Sequence, residues 1–175
     1  TRAGKRVQAQ GGAKNYITVL PDANMEASVN NILGAAYGCA GQRCLAAAVA
    51  VGVGDAYDAL RDTLVEKTRA LKVGYGLDET TQVGTVVSGA AKERIERMIQ
   101  AAVDDGATIT VDGRNLTIEG YENGSFVGRT ILENVTPDMA IARDEVFGPV
   151  LALMRADDFE ESVEIVNKSP FGNAA

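Results

Sequence analysis

The sequence predicts an α/β domain with a largely parallel sheet flanked by helices. Short apolar runs that suit buried strands alternate along its 175 residues with longer segments whose apolar residues recur at helical spacing. Such alternation is typical of parallel sheets, whose strands are joined by helical crossovers. No repeat or low-complexity linker divides the chain, so residues 1–175 are expected to form one domain with a sizeable core.

Four apolar runs, at residues 16–20, 47–51, 107–111 and 149–154, predict the strands. The second and the last are apolar almost throughout, as expected of strands with both faces buried. The stretch at residues 114–126 is rich in turn-forming residues, and we expect it to be a loop.

Four amphipathic helices are predicted between and after these strands. The expected N-caps are Asp55 for the second helix, Ser88 for the third, and Asp157 or Asp158 for the last. Apolar residues at helical spacing are expected to face the core. They are Met25, Val29, Ile32, Leu33 and Ala36 in the first helix; Leu60, Leu64, Thr68 and Leu71 in the second; Ala91, Ile95, Met98, Ile99, Ala102 and Val103 in the third; and Phe159, Val163 and Val166 in the last.

Charge and composition exclude several classes of function. The formal net charge of −7 argues against wide contact with nucleic acid or anionic membranes, because phosphate binding needs a basic face. The sequence has no histidine, so it cannot supply a Ser-His-Asp or Cys-His relay or an HExxH zinc site. No signal sequence stands at Thr1 and no apolar run approaches membrane-spanning length. With only two cysteines, a reducing compartment is expected: the cytoplasm or, in a eukaryote, the mitochondrial matrix.

Both cysteines lie within residues 38–48, GCAGQRCLAAA, five positions apart. Cys39 and Cys44 could form a disulfide, bind a metal, pack as small apolar side chains, or include a nucleophile. A zinc site is disfavoured, because two thiolates without histidine would need carboxylates for all remaining ligands. We therefore predict no metal site. Residue type and spacing alone do not decide between a disulfide, packing and a nucleophile.

Four short stretches, in a fixed order, carry a resemblance to a known family. They are GGAKN at residues 11–15, GQRC at 41–44, EVFGP at 145–149 and NKSPFGN at 167–173. Together they resemble the catalytic domain of the aldehyde dehydrogenase superfamily, and within it the CoA-acylating methylmalonate-semialdehyde and malonate-semialdehyde dehydrogenases. Residues 120–128 are also similar to that subfamily. The resemblance implies the aldehyde dehydrogenase catalytic-domain fold.

The resemblance implies that Cys44 is the catalytic nucleophile. A thiolate adds to an aldehyde carbon, hydride then passes to NAD, and a thioester remains on the cysteine. Because an ordinary thiol is only a few per cent ionised at neutral pH, Arg43, backbone N–H groups and the cofactor would have to favour the thiolate. The alternative for Cys44 is a small buried side chain. Cys39 is expected to pack, with a redox partnership with Cys44 as the alternative.

Three further residues match family positions that bind cofactor or substrate. Glu145 matches the glutamate that accepts hydrogen bonds from the nicotinamide ribose, and Phe147 matches the aromatic residue behind the nicotinamide. Arg43 is expected to bind the carboxylate of a three-carbon semialdehyde as a charge-assisted pair, and a purely local hydrogen bond is its alternative role.

The position of the family's general base holds Gln10, 34 positions before Cys44. Residues 1–21 contain neither Asp nor Glu, so no shift of the alignment brings a carboxylate there. A glutamine cannot act as a general base. The resemblance therefore implies that coenzyme A, instead of water, takes the acyl group from the thioester.

The resemblance also implies that these 175 residues are a catalytic domain without the NAD-binding domain of a longer enzyme, inactive alone. The whole enzyme is expected to form a homo-oligomer, a dimer or a tetramer, and to act on a small aldehyde. Two further functions fit the residues less well. One is a hydrolytic NAD(P)-dependent aldehyde dehydrogenase whose base comes from elsewhere, and the second is an inactive α/β module for binding or assembly.

Overall fold

The computed structural model describes residues 2–175, which form a five-stranded sheet and five helices. The strands are β1 (Asn15–Val19), β2 (Ala47–Val53), β3 (Thr108–Val111), β4 (Thr130–Glu133) and β5 (Val150–Ala156). The helices are α1 (Met25–Tyr37), α2 (Ala56–Ala70), α3 (Gly89–Asp104), the short α4 (Ala140–Arg143) and α5 (Phe159–Asn167).

The sheet has the strand order β1-β2-β5-β4-β3, and its first four strands run parallel. Tyr16 lies opposite Val49, Val49 opposite Ala152, and Ala152 opposite Leu132. Only β3 is antiparallel, at the edge beside β4. The predicted largely parallel α/β fold is therefore confirmed, and all four predicted strands are present with ends shifted by a few residues.

The strand β4 was not among the sequence predictions, although Thr130, Ile131 and Leu132 are all buried. It has only four residues and follows a stretch without regular structure. A short apolar run of this kind cannot be distinguished from a buried loop by its periodicity. Pairing with β5 on one side and β3 on the other makes it a strand.

Side chains cap three of the helices. The carbonyl oxygen of the Asn24 side chain accepts the Ala27 N–H at 3.0 Å, and the Ser88 hydroxyl accepts the Ala91 N–H at 3.2 Å. Of the two N-caps predicted for α5, Asp157 and Asp158, the structure shows Asp158, whose carboxylate accepts the Glu161 N–H at 2.8 Å. The prediction for Asp55 is wrong. Asp55 precedes α2, but its backbone is already helical (φ −69°, ψ −15°) and its side chain caps nothing.

The predicted inward face of α5 is wrong for two of its three residues, because Val166 packs against the core and Phe159 and Val163 do not. Phe159 and Val163 are 54% and 40% exposed, whereas Ser162 and Ile165 are buried. The two exposed residues are one turn apart on one side of the helix, and the two buried ones lie on the side that meets β5 and β2. Apolar spacing alone placed Phe159 and Val163 inside wrongly, because the packing of α5 against the sheet decides which of its residues are covered.

The core lies around the two central strands. Every residue of β2 except Ala48, and every residue of β5 except Arg155, is buried. Helices α1 and α2 pack against each other and against β2. The largest fully buried side chains are Tyr37, Phe126, Ile32, Leu60, Leu64, Ile95, Ile99, Ile131, Leu132, Ile141, Leu151 and Leu153. Within residues 2–175, no helix combines the length and the hydrophobicity that crossing a membrane requires.

The sheet order brings three loops together. Because β1, β2 and β5 are adjacent and parallel, their amino ends lie at the same edge of the sheet. The segments that enter these strands, residues 10–14, 38–46 and 144–149, therefore meet there. The chain after α5 also returns to this edge, since Asn173 contacts both Asn15 and Cys44.

Candidate active site

A cleft of about 670 Å³ opens at this edge, between the three loops and the chain after α5. Its walls include Gln10, Cys44, Glu145 and Phe147, together with residues 170–173. Four of the five predicted site residues therefore share one cavity, although up to 137 positions separate them in the sequence. Arg43, the fifth, does not line this cleft.

The loop that carries Cys44 follows an unusual backbone path. After α1 the tight turn Gly38–Gly41 places Cys39, Ala40 and Gly41 in the left-handed region, with φ values of +52°, +53° and +68°. Non-glycine residues adopt this region at a cost, and such strain persists only where surrounding contacts impose it. At Gly41 a Cβ atom would lie 2.1 Å from the Gly148 carbonyl oxygen, so the Cys44 loop rests directly on the backbone that follows Glu145 and Phe147.

Both thiols are free and exposed. The exposure of Cys44 excludes a buried packing role and leaves its thiol accessible from the cleft. The expectation that Cys39 packs is wrong, because the left-handed turn directs its side chain outward instead of into the core. Among residues 2–175, no group of His, Cys, Asp or Glu side chains is placed to hold a metal ion.

Lys14 is a buried cation directly below the Glu145 loop. Only 2% of the residue is exposed, and its Nζ donates to the Asp144 carbonyl oxygen at 3.0 Å. Loss of hydration on burial lowers the pKa of the Lys14 ammonium to about 8, and the charges of Asp144 and Glu145 oppose this change. At neutral pH the ammonium therefore stays charged and ties the 144–145 backbone to the start of β1.

Phe147 occupies a strained conformation, with φ +51°, at the point where the cleft meets the turn into β5. Its carbonyl oxygen accepts a hydrogen bond from the Gln42 side-chain amide at 3.2 Å, and Gln42 in turn accepts the Val87 N–H at 2.9 Å. Gln42, two positions before Cys44, thus connects the Cys44 loop to the Phe147 loop. Phe147 and Glu145 are both half-buried, so ring and carboxylate remain accessible from the cleft.

The Arg43 guanidinium points toward the end of α1. Its Nη2 donates to the Gly34 and Ala35 carbonyl oxygens at 2.6 and 3.0 Å. These are among the last carbonyls of the helix, which carry the negative end of its dipole, and that of Gly34 also accepts the Gly38 N–H. Arg43 therefore closes the C-terminus of α1 in this structure, and its predicted contact with a substrate carboxylate stays a prediction.

The whole of residues 1–175 matches the aldehyde dehydrogenase family. The chain belongs to the aldehyde dehydrogenase family. It is 51% identical over 172 residues to the mitochondrial acylating methylmalonate-semialdehyde dehydrogenase of Arabidopsis thaliana, covering 98% of this chain and 28% of that protein. The crystal structure of methylmalonate-semialdehyde dehydrogenase from Oceanimonas doudoroffii superposes with a TM-score of 0.92 at 42% identity, over 98% of this chain and 35% of that one.

A second solved aldehyde dehydrogenase is also similar. The betaine aldehyde dehydrogenase of Staphylococcus aureus, in complex with NAD⁺, gives a TM-score of 0.89 at 30% identity over 92% of this chain and 32% of that one. The predicted superfamily and fold are thereby confirmed. The chain spans about a third of the length of these aldehyde dehydrogenases.

No role was assigned from the sequence to four polar residues that shape this candidate site: Lys14, Asn15, Gln42 and Asn173. All four lie inside the motifs that carry the resemblance, but residue type and spacing do not predict which groups they contact. Asn15 is 4% exposed at the start of β1, and Asn173 comes from the chain after α5. Lys14 and Asn15 could have been noticed because they directly precede a predicted buried strand. A polar side chain in such a place is expected to be buried and therefore to need a hydrogen-bond partner.

Proposed function

We propose that this chain is the thiol-bearing catalytic part of an NAD-dependent, CoA-acylating dehydrogenase that converts methylmalonate or malonate semialdehyde to propionyl- or acetyl-CoA. The observation that carries the proposal is the cleft in which Cys44, Glu145 and Phe147 face Gln10 and no second carboxylate. The names of the Arabidopsis and Oceanimonas relatives support this substrate class. Because the chain spans about a third of those proteins, the complete enzyme would include an NAD-binding domain outside these residues.

The chemistry starts at the Cys44 sulfur, which lies exposed on the cleft wall. As a thiolate it attacks the aldehyde carbon and forms a thiohemiacetal. Bound NAD supplies a hydride acceptor for the oxidation of this adduct to a thioester. The thiol of coenzyme A then takes the acyl group, and its proton passes to the released Cys44 thiolate. When the substrate carboxylate leaves as carbon dioxide, the carbon that carried it takes up a proton in its place.

The residues on the opposite wall fit a nicotinamide nucleoside. The Glu145 carboxylate is half-buried and can accept two hydrogen bonds from ribose hydroxyls, while the Phe147 ring offers an apolar surface to the nicotinamide. Contacts of Gln42 with the Phe147 carbonyl oxygen and of Lys14 with the Asp144 carbonyl oxygen hold both residues from behind. A preorganised loop of this kind reduces the ordering cost of binding.

Gln10 directs the thioester to coenzyme A. Hydrolysis requires a general base that activates water, and a carboxamide cannot take up that proton. In the intact enzyme that contains this chain, NADH formation over many turnovers should therefore need CoA, and mass spectrometry should identify acetyl- or propionyl-CoA as the product. Full multiple-turnover NADH formation without CoA would overturn the proposal.

A gain of function tests the same point. Gln10→Glu places a carboxylate at the mouth of the cleft. We expect it to raise CoA-independent NADH formation at least about tenfold above wild type, against roughly 10²–10⁴ for a fully positioned general base. Gln8→Glu adds the same charge two residues away on the exposed segment and serves as the matched control. Equal rates for both variants would show that charge, not base catalysis, causes the change.

One observation favours hydrolysis as a second candidate function. Of the residues lining the cleft, Glu145 is the one carboxylate, so it could activate water when it is not engaged with the ribose. A CoA-independent product that is the free acid, and that disappears in Glu145→Gln, would select hydrolysis. Thiol labelling distinguishes an inactive binding module from an enzyme. In an enzyme, substrate and NAD protect Cys44 from labelling. In a module, Cys39 and Cys44 are labelled equally slowly whether or not substrate and NAD are present.

The proposal extends to the cellular location and the assembly of the complete enzyme. The Arabidopsis relative is named as mitochondrial, which supports the mitochondrial matrix for a eukaryotic source and the cytoplasm for a bacterial one. We propose a homo-oligomer, a dimer or a tetramer, for the complete enzyme. Analytical ultracentrifugation of the intact enzyme measures its mass directly, and a monomer would contradict the proposal.

A further inference from the structure

Two side-chain amides converge on the main-chain carbonyl oxygen of Cys44. The Nδ2 of Asn15 donates to it at 2.9 Å, and the Nδ2 of Asn173 donates to it at 2.7 Å. Asn15 also donates to the Ala46 carbonyl oxygen at 2.9 Å, so both of its N–H bonds are used. A carbonyl oxygen has two lone pairs, so these two donors use the full hydrogen-bonding capacity of the Cys44 carbonyl oxygen.

The donors come from opposite ends of the chain. Asn15 is 4% exposed and begins β1, and Asn173 follows α5, 129 positions after Cys44. Asn15 Oδ1 lies 3.5 Å from Asn173 Nδ2, so the two amides also face each other. Residue 44 is thereby held from two directions in a loop whose preceding turn is strained and whose thiol is exposed.

The same geometry affects the charge near the sulfur. A free carbonyl oxygen presents partial negative charge near the side chain of its own residue. Two N–H dipoles directed at that oxygen compensate this charge and replace water that would otherwise have to be ordered at each turnover. The contacts therefore fix both the direction of the Cα–Cβ bond and the local field.

We propose that Asn15 and Asn173 are positioning residues that hold the Cys44 carbonyl and thereby aim the nucleophile. This inference rests on the proposed role of Cys44. It assigns to residues 170–173 a double task, since they form one wall of the cleft and also restrain the group that reacts in it. Asn173 is the residue to test, because it is exposed and its replacement leaves the core intact.

The test uses four variants of the intact enzyme. Asn173→Leu removes the donor at similar size, Asn173→Asp replaces it with an acceptor against the carbonyl oxygen, and Asn173→Gln keeps a carboxamide. Asn31→Leu, at an exposed position of α1, is the matched control. Iodoacetamide labelling of each thiol is followed by peptide mass spectrometry, and kcat and the KM for NAD are measured with a semialdehyde.

Cys39 provides an internal standard, because its thiol is also exposed and neither amide touches its carbonyl. We expect Asn173→Leu to slow labelling of Cys44, and to lower kcat, about three- to tenfold, and Asn173→Asp to do so at least about tenfold. Labelling of Cys39 and the KM for NAD should stay unchanged. Asn173→Gln should recover most of the wild-type rate, and Asn31→Leu should match wild type.

The outcomes separate this inference from the proposed function. Unchanged Cys44 labelling in both Asn173→Leu and Asn173→Asp overturns the inference even if the wild-type enzyme oxidises semialdehydes. Equal slowing of Cys39 and Cys44 also overturns it, because it indicates a general change of the loop. A wild-type enzyme that forms no CoA ester refutes the proposed function, while selective slowing of Cys44 would still support the positioning role.

Discussion

The lowered pKa of the buried Lys14 ammonium predicts how the free energy of unfolding of this chain depends on pH. Its ammonium is buried at 2% exposure and its folded-state pKa is about 8, against an ordinary value of 10.5. Desolvation is the main cause, and Asp144 and Glu145 offset part of it. One pKa unit corresponds to about 1.4 kcal/mol, so keeping the proton on Lys14 in the folded state costs about 3 kcal/mol.

The direction of this pH dependence follows from the pH range in which the folded and the unfolded state each bind the Lys14 proton. Below pH 8 the folded and unfolded states are both protonated, and the folded state bears the full cost. Between about pH 8 and pH 10.5 the unfolded state still binds the proton that the folded state has lost, so the free energy of unfolding rises with pH. Between pH 7.5 and pH 10 the gain should be roughly 2 kcal/mol.

The perturbation is Lys14→Met, which has a similar length and no charge. Urea unfolding of wild type and variant at several pH values between 7 and 10.5 measures the two free energies of unfolding. Their difference isolates Lys14, because every other titrating group is common to both proteins. We expect wild type to gain roughly 2 kcal/mol relative to the variant between pH 7.5 and pH 10. A difference that does not change with pH, or that falls as pH rises, would refute the reasoning.

Two further predictions concern the loop that carries Cys44. Gly41→Ala should destabilise the chain by at least about 2 kcal/mol and slow Cys44 labelling, because φ is +68° and the new Cβ would lie 2.1 Å from the Gly148 carbonyl oxygen. Gly34→Ala, in α1 with open space around it, should instead stabilise by about 0.5–1 kcal/mol, and denaturant melts of the two variants check both signs. Arg43→Ala in the intact enzyme should raise the KM for carboxylated substrates far more than that for an uncharged aldehyde. Equal increases would assign Arg43 to the α1 carbonyls that it contacts in this structure.

Helix α5 and strand β4 depart from what their local sequence predicts. Helical spacing predicted α5, but the face packed against β5 carries Ser162 and Ile165, and the larger Phe159 lies outside. Periodicity indicates that a helix is amphipathic without indicating which neighbour will cover it. Residues 130–133 become a strand through pairing on both sides, which local sequence does not contain.

The two cysteines show the same division. Residue type and flanking motifs distinguished Cys44 as the candidate nucleophile, and its exposure in the cleft agrees with that role. The packing role expected for Cys39 failed, because a left-handed turn that no simple pattern predicts directs it outward. Strained turns are decided by contacts from other segments, here the close approach of Gly41 to Gly148.

The sequence by itself determined the chemistry that is available: a thiol at residue 44, glutamine where a base would stand, no histidine, and strands alternating with helices. These are properties of residue type and of short stretches, which remain the same in any fold. The tertiary structure decided that three strands would align their amino ends, and that Asn15 and Asn173 would meet at the Cys44 carbonyl oxygen. Convergence of this kind depends on strand order and helix packing, which arise from the burial of the whole core at once.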